Sequence, residues 1–509
     1  MASPPSAESG RKTTSGTRDE RTPSWVRDPS PALEQRLERA WDARRTWGSK
    51  PRQERVAVLA AIAGALDAAG DELVPLARHE THLTEARLRG ELARTTFQLR
   101  LFAEVLQDGG YLDARVDHAD PHWEMGPRPD IRRYGVPLGP VLVFEASNFP
   151  FAFGALGGDT ASALAAGCPV VIKSHPGHLR LSMRTIEIAA SAAVAAGAPE
   201  GVLDVFDGLD DGRAAVMDHR VKACGFTGSV AGGRALFDLA VSRPDPIPFY
   251  GELGSVNPVF VTPCAAEDRA DEIATGFVGS FTLGAGQFCT KPGLLIVPAD
   301  SSIPQRLAAL DYPEPAPLLN ELVQERYVDA LADIAQHRGV IGTETTNRAT
   351  SSPPAPSLFQ TTAEEVLRDL KGLTAERFGP LSLVVTYRDS DEALTLARAL
   401  EGQLTATIHG ADSEDALASE LVTELTDIAG RILWNGWPTG VTVSAAQQHG
   451  GPYPATTAVG TTSVGTAAIT RFLRPVSYQD LPSALLPPEL RDKANDLPRR
   501  VDGQLYCPA

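Results

Sequence analysis

One cysteine sits in a setting fit for covalent chemistry. Gly284-Ala-Gly-Gln-Phe-Cys289-Thr-Lys-Pro-Gly293 places a thiol after a glycine-rich turn that follows a helix-like stretch. Glycines let backbone N–H groups approach a substrate closely. Lys291 is expected to favour the thiolate. The competing reading is a buried, inert cysteine. Phe249-Tyr-Gly-Glu252-Leu-Gly254-Ser-Val-Asn-Pro258 sets a carboxylate among glycines and apolar residues. Partial desolvation there raises a carboxyl pKa and suits a general base near neutral pH. The alternative is a loop glutamate facing water. Glu145-Ala-Ser-Asn148-Phe-Pro150 offers a carboxamide that donates to an oxyanion or closes a turn before proline. Lys173 ends the run Val171-Ile-Lys173-Ser174-His175-Pro176, and taken alone reads as a solvated strand-end lysine. Gly225-Phe-Thr-Gly228-Ser229-Val-Ala-Gly-Gly233 is a turn opening a helix, of the kind that receives a phosphate. His175, His178 and His449 are scattered; they read as structural or polar fill, and no metal site is expected.

Groups this far apart in the chain need a scaffold that gathers them. From Gly139, apolar runs at 141–144, 170–172, 202–206 and 223–226 alternate with helical stretches at 155–166, 181–196, 212–217 and 231–241. Repeated βαβ units of this kind form a parallel sheet covered on both faces. Ligands of such sheets sit at the carboxyl ends of the strands. A second α/β stretch runs from 256 to about 445, with helices at 267–281 and 391–399 and strands at 294–297 and 383–386. Residues 313–317 and 345–356 read as loops. Ahead of both, Leu33, Leu37 and Ala40, then Val56, Leu59 and Ile62, then Leu99, Phe102 and Leu106 keep helical spacing. Residues 113–134 have no helical period and suggest an extended arm, to which 461–488 could return.

Composition narrows the class. The 509 residues carry 47 Lys and Arg against 64 Asp and Glu, a net charge of −17. That argues against a nucleic-acid backbone or an anionic membrane as partner. Five cysteines without C-x-x-C spacing suggest neither a zinc site nor a disulfide framework, so a reducing cytoplasm is the expected home. The most apolar stretch, 140–173, is broken by Glu145, Asn148, Pro150, Asp159 and Pro169, and no membrane-spanning helix fits it. Residues 1–24 lack an apolar signal region and read as a disordered tail.

In this order the signals resemble the aldehyde dehydrogenase superfamily over roughly residues 30–480. A-S-N-F-P at 146–150, V-I-K at 171–173, F-T-G-S at 226–229, E-L-G at 252–254, G-Q-F-C at 286–289 and E-R-F-G-P at 376–380 carry the resemblance. More narrowly, P-F-Y-G-E-L-G-S-V-N-P at 248–258, N-G-W-P-T-G-V at 435–441 and H-G-G-P-Y-P-A-T at 449–456 are similar to one branch. That branch contains the 2,5-dioxovalerate (α-ketoglutarate semialdehyde) dehydrogenases and an NADP-linked fatty aldehyde dehydrogenase. The resemblance implies an α/β fold with a Rossmann-like cofactor domain, an α/β catalytic domain and a small β oligomerisation arm. The implied division is a cofactor domain over 25–253, interrupted by the arm at about 113–134, a catalytic domain over 254–450, and a return to cofactor domain and arm over 451–509.

The resemblance also implies roles. Cys289 is the nucleophile, Glu252 the base for the hydrolytic water, and Asn148 with the Cys289 N–H the oxyanion hole. Lys173 holds the adenine-side ribose, and Ser229, in the turn with Gly228 and Gly233, the pyrophosphate. Glu376 positions the nicotinamide-side ribose and Phe378 packs by the nicotinamide. NAD-specific relatives often carry a glutamate three residues after the lysine; here it is Pro176. A carboxylate would repel a 2′-phosphate and proline cannot. Ser174, His175 or Arg213 is available to meet that phosphate, although Arg213 reads equally as a solvated surface residue. NADP is therefore expected to serve at least as well as NAD. The expected reaction converts 2,5-dioxopentanoate to 2-oxoglutarate, with a fatty aldehyde as the alternative substrate. A CoA-acylating enzyme and an inactive binding protein are the competing classes. A homodimer or homotetramer is expected. Residues 300–360 look short for the branch, Gln447-Gln448 replaces a more apolar stretch, and both border the expected aldehyde entrance.

Overall fold

The computed structural model describes residues 26–343, 345–346, 353–411 and 415–508. The expected tail over 1–24 and part of the expected loop over 345–356 lie outside them.

Four short runs of β-formers and the E-L-G segment make one parallel sheet. Its order is Leu203–Phe206, Val170–Lys173, Val141–Phe144, Ala223–Thr227, Phe249–Glu252. The first strand in the chain is central and the order reverses beside it, between Val141–Phe144 and Ala223–Thr227. That reversal opens a crevice at the carboxyl ends of these two strands. Val141, Leu142, Val170 and Ile172 are fully buried because helices cover both faces. On one face lie Arg52–Ala68, Glu85–Asp108 and Leu179–Ala195, around Leu59, Ile62, Leu99 and Phe102. On the other lie Pro31–Gly48 and Val230–Ser242, around Leu33, Leu37 and Leu239.

A second, seven-stranded sheet takes the order 341–342, Ser357–Thr362, Leu381–Tyr387, Leu294–Pro298, Val259–Val261, Gln403–His409, Ala429–Trp434. Its neighbours run parallel except the first pair. Gln403–His409 escapes the apolar-run reading because its threonines look like a solvated face. Thr405 and Thr407 are fully buried, and Thr405 spends its hydroxyl on Asn257 Oδ1 at 3.0 Å. The helix expected over 267–281 is two, Pro263–Asp268 and Ala270–Thr282. The chain leaves helical geometry at Arg269, whose guanidinium reaches Asn435 Oδ1 at 2.9 Å.

The third sheet joins Leu473–Gln479, Ile131–Pro137, Ala114–Asp117, Arg499–Val501 and Gln504–Tyr506. Leu473–Gln479 runs antiparallel to Ile131–Pro137. Among the described residues, no helix is long and apolar enough to cross a membrane.

Candidate active site

The loop carrying Cys289 meets the crevice of the first sheet. Helix Ala270–Thr282 ends in a turn where Gly284, Ala285 and Gly286 all take left-handed geometry, with φ of 57°, 56° and 67°. A side chain at 286 would collide with the carbonyl of Gly379, in the E-R-F-G-P segment, so the two motifs close on one another. Asn257 secures the chain beyond this turn. Its Nδ2 donates to the carbonyls of Cys289 at 2.8 Å and Lys291 at 2.9 Å. A cleft of about 400 Å³ then brings together Asn148, His175, Gly228, Ser229, Glu252, Cys289, Glu376, Phe378 and His449.

The thiol does not meet the partner expected of it. Lys291 is buried and turned away, its Nζ donating to the carbonyls of Arg377, at 2.8 Å, and Leu381. Burial drives its pKa down to about 7, opposed by Glu376, whose own carboxyl burial lifts to about 7. Cys289 instead lies with its Sγ 3.7 Å from Nε2 of His449, a residue that sequence alone assigns to polar fill. Burial and the charges of Glu376 and Glu252 push the thiol up to about 12, against the pull of Arg94. Burial, with Arg431 and Arg94 adding, pushes His449 down to about 3. The resting pair is therefore a protonated thiol beside a neutral imidazole. The signal was available in H-G-G-P-Y-P-A-T, but nothing in its spacing points to Cys289.

Glu252 ends its strand in full burial, and its Oε2 has no hydrogen-bond partner among the described residues. Desolvation raises its pKa well above the usual carboxyl range; Asp159 adds to this and Arg471 opposes it. Those two form a buried ion pair at 2.6 Å. Asn148 Nδ2 donates to the Gln287 carbonyl at 3.1 Å, which aims the amide at the cysteine loop and leaves its second N–H. The Asn148 carbonyl accepts from Arg87 at 2.5 Å.

Of the remaining residues, Gly228, Ser229 and His175 line the cleft. Ser229 caps helix Val230–Ser242 through Gly232 N at 3.3 Å, and Gly228 N donates to the Glu252 carbonyl at 3.0 Å. Gly233 lets that helix close on Leu253, with which a side chain would collide. Lys173 Nζ donates to the Ser174 carbonyl at 2.8 Å, and burial lowers its pKa. Ser174 corrects the expectation made for it. It is fully buried, and its hydroxyl is spent on the Phe206 carbonyl at 3.0 Å, because its backbone N–H, just past the strand's end, bonds the same carbonyl at 2.9 Å. His175 faces the cleft with Nδ1 accepting from Gly177 N at 3.0 Å, and burial pushes its pKa down to about 3. Arg213 lies on helix Leu209–Met217, partly exposed and 3.5 Å from Asp210, one residue after Gly212, which packs on Lys173.

The aldehyde dehydrogenase family model matches residues 26–474. The chain belongs to the aldehyde dehydrogenase family. It is therefore an aldehyde-oxidising enzyme. It is 44% identical over 482 residues to alpha-ketoglutaric semialdehyde dehydrogenase 2 of Azospirillum brasilense, covering 93% of this chain and 91% of that one. It is 42% identical over 467 residues to alpha-ketoglutaric semialdehyde dehydrogenase of Acinetobacter baylyi, covering 90% and 88%. Among solved structures, 1-pyrroline-5-carboxylate dehydrogenase from Thermus with bound NAD shares the fold, with a TM-score of 0.72, 22% identity and coverage of 88% and 85%. The aldehyde dehydrogenase motifs thus converge on one cleft here, with His449 added and Lys291 and Ser174 turned away from it.

The raised thiol pKa has a direct consequence. Below about 12, each pH unit upward should raise the thiolate fraction, and with it the rate of Cys289 alkylation by iodoacetamide, about tenfold. Mass spectrometry of the Cys289 peptide separates it from the exposed Cys264 and Cys507. The rate should climb from pH 7 to 10 in the cofactor-free enzyme; a plateau near neutrality would mean a thiolate held by a neighbouring cation.

Proposed function

We propose that this enzyme oxidises 2,5-dioxopentanoate to 2-oxoglutarate, using NADP at least as well as NAD. The observation that carries the reading is the convergence of Cys289, His449, Asn148 and Glu252 on one buried cleft. The names of the two relatives supply the substrate.

The chemistry follows from the geometry. Cys289 gives up its proton to solvent as its Sγ adds to the aldehyde carbon, with the imidazole of His449 beside the sulfur at 3.7 Å. The carbonyl oxygen becomes an oxyanion, met by the free N–H of Asn148 and the backbone N–H of Cys289. Each well-placed donor contributes about 3–4 kcal/mol. The cleft suits a nicotinamide dinucleotide. It begins at the strand-order reversal, beside the capped helix end at Ser229, and runs to Cys289. Lys173, Ser229, Glu376 and Phe378 would hold that cofactor, which supplies the hydride acceptor that leaves a thioester on Cys289. Glu252 then takes a proton from water as that water attacks the thioester, releasing the carboxylate and restoring the thiol. Burial raises the affinity of the Glu252 carboxylate for that proton. A CoA-acylating enzyme would not need that base.

The arm supports an oligomer. The outer edge of Leu473–Gln479 has no partner strand among the described residues, and such an edge is covered or paired in stable proteins. The reading is a homodimer or homotetramer, and none of the five cysteines is in a disulfide, which fits a reducing cytoplasm.

With 2,5-dioxopentanoate, Glu252→Gln should give a burst of reduced cofactor near one per active site and then stall. Cys289→Ala should give neither burst nor turnover. Loss of the burst in Glu252→Gln would place the glutamate at thiol deprotonation instead. Release of acyl-CoA when CoA is added would favour the acylating class, and a higher kcat/KM for decanal would favour the fatty aldehyde reading. Arg213→Ala should raise the KM for NADP at least about tenfold more than that for NAD, as loss of a charge-assisted fork does. Equal effects would remove Arg213 from phosphate recognition. Light scattering at micromolar protein should give at least twice the 54.1 kDa chain mass.

A further inference from the structure

The proposed substrate bears a carboxylate, and two arginines beside Cys289 lack one. Arg94, on helix Glu85–Asp108, and Arg431, on strand Ala429–Trp434, come from opposite parts of the chain. Both are tied to one loop of the N-G-W-P-T-G-V motif. Arg94 Nη1 donates to the Val441 carbonyl at 2.8 Å, and Arg431 Nη2 to the Pro438 carbonyl at 2.7 Å. The same loop is fastened behind the nucleophile, where Gly440 N donates to Thr290 Oγ1 at 3.2 Å. Each guanidinium is close enough to act on the charge of Cys289.

The charge of Glu91 acts on Arg94, though short of an ion pair. Among the described residues no carboxylate lies within ion-pair distance of Arg94 or Arg431. The nearby Glu91 is committed to Arg87 at 2.9 Å. Arg94 Nε and Nη2 are buried without any hydrogen-bond partner, as is Arg431 Nε. Nε and Nη2 form one edge of the guanidinium, the fork that matches the two oxygens of a carboxylate. Arg94 also lines a cavity of about 660 Å³ with Phe149, Leu283 and Phe288. Leaving buried charged donors unmade is costly. A substrate anion would satisfy them.

We propose that Arg94 and Arg431, fastened to the 438–441 loop beside Cys289, form the clamp for the carboxylate of the aldehyde substrate. The clamp rests on the oxo-acid reading of the function and names the side chains that enforce it. It holds the far end of a short chain while the aldehyde carbon reaches Sγ. A neutral aldehyde would leave the buried donors of these half-buried cations unmade, so the site selects charge as well as length.

The test compares kcat/KM for 2,5-dioxopentanoate and glutarate semialdehyde with that for pentanal, in wild type, Arg94→Met and Arg431→Met. The wild type should favour both carboxylated aldehydes, and each variant should lower that preference at least about tenfold. A wild type without the preference would sink the oxo-acid reading itself. A wild type with it, and variants that keep it, would overturn the clamp alone. A uniform loss on all three aldehydes would also overturn it, showing that the arginines only position Cys289 and His449. If a methionine variant fails to fold, Arg94→Lys and Arg431→Lys keep the charge and remove the fork. Their preference should still fall, and an undiminished one overturns the clamp.

Discussion

The carboxamide of Asn257 is the interaction on which the site depends. Asn257 is fully buried, at a φ of 48°, on the stretch that leaves the first sheet at Glu252 and enters the second at Val259. Its Nδ2 holds the carbonyls of Cys289 and Lys291, while its Oδ1 accepts from Ser255 Oγ at 2.9 Å and Thr405 Oγ1 at 3.0 Å. One amide therefore fixes the Cys289 loop to the segment that follows Glu252 and to a strand of the second sheet. Each buried carbonyl left unmade would cost roughly 1–3 kcal/mol. The distance between thiol and carboxyl is thus set by backbone packing.

Given that fixed frame, burial pushes the thiol, the carboxyls and the imidazole of the cleft toward their neutral forms. Desolvation lifts the thiol of Cys289 and the carboxyls of Glu252 and Glu376, and lowers the imidazole of His449. The resting site is drawn toward its neutral forms. Charge then appears only as a proton moves between neighbours, and the fixed donors around Asn148 meet it in a medium of low dielectric. The Asp159–Arg471 pair lies behind Glu252 as a compensated dipole, so the strand end carries no bare ion when the glutamate is protonated.

Much of this was legible in the chain, for a physical reason. Parallel strands buried on both faces read as unbroken apolar runs, so Val141–Phe144, Val170–Lys173 and Ala223–Thr227 stood out, and with them the residues at their carboxyl ends. Positions at which only glycine fits, such as Gly286 and Gly233, also carry their own signature. What spacing could not give was direction. Lys291 is two residues from Cys289 yet points to Arg377 and Leu381, while His449 is 160 residues away and touches the thiol. Ser174 and His175 are adjacent, and one faces the core while the other faces the cleft. Gln403–His409 stayed hidden because buried threonines imitate a wet face.

The same alternation explains why the aldehyde side and the cofactor side can be read separately. Asn148 and Cys289 line the cleft that begins at Ser229, while their neighbours Phe149 and Phe288 line the cavity reached by Arg94. The two rings meet edge to face at 5.2 Å, and Arg87 lies over both, at 4.9 and 4.7 Å. Asn148 and Cys289 therefore sit in a partition one side chain thick. The cavity shares none of its lining residues with the cleft. The cavity side carries Arg87 and Arg94 with Glu91 and Glu314, and Glu91 pairs with Arg87. The proposed clamp would act through Arg94 from the cavity side of that partition, apart from the residues that line the cleft.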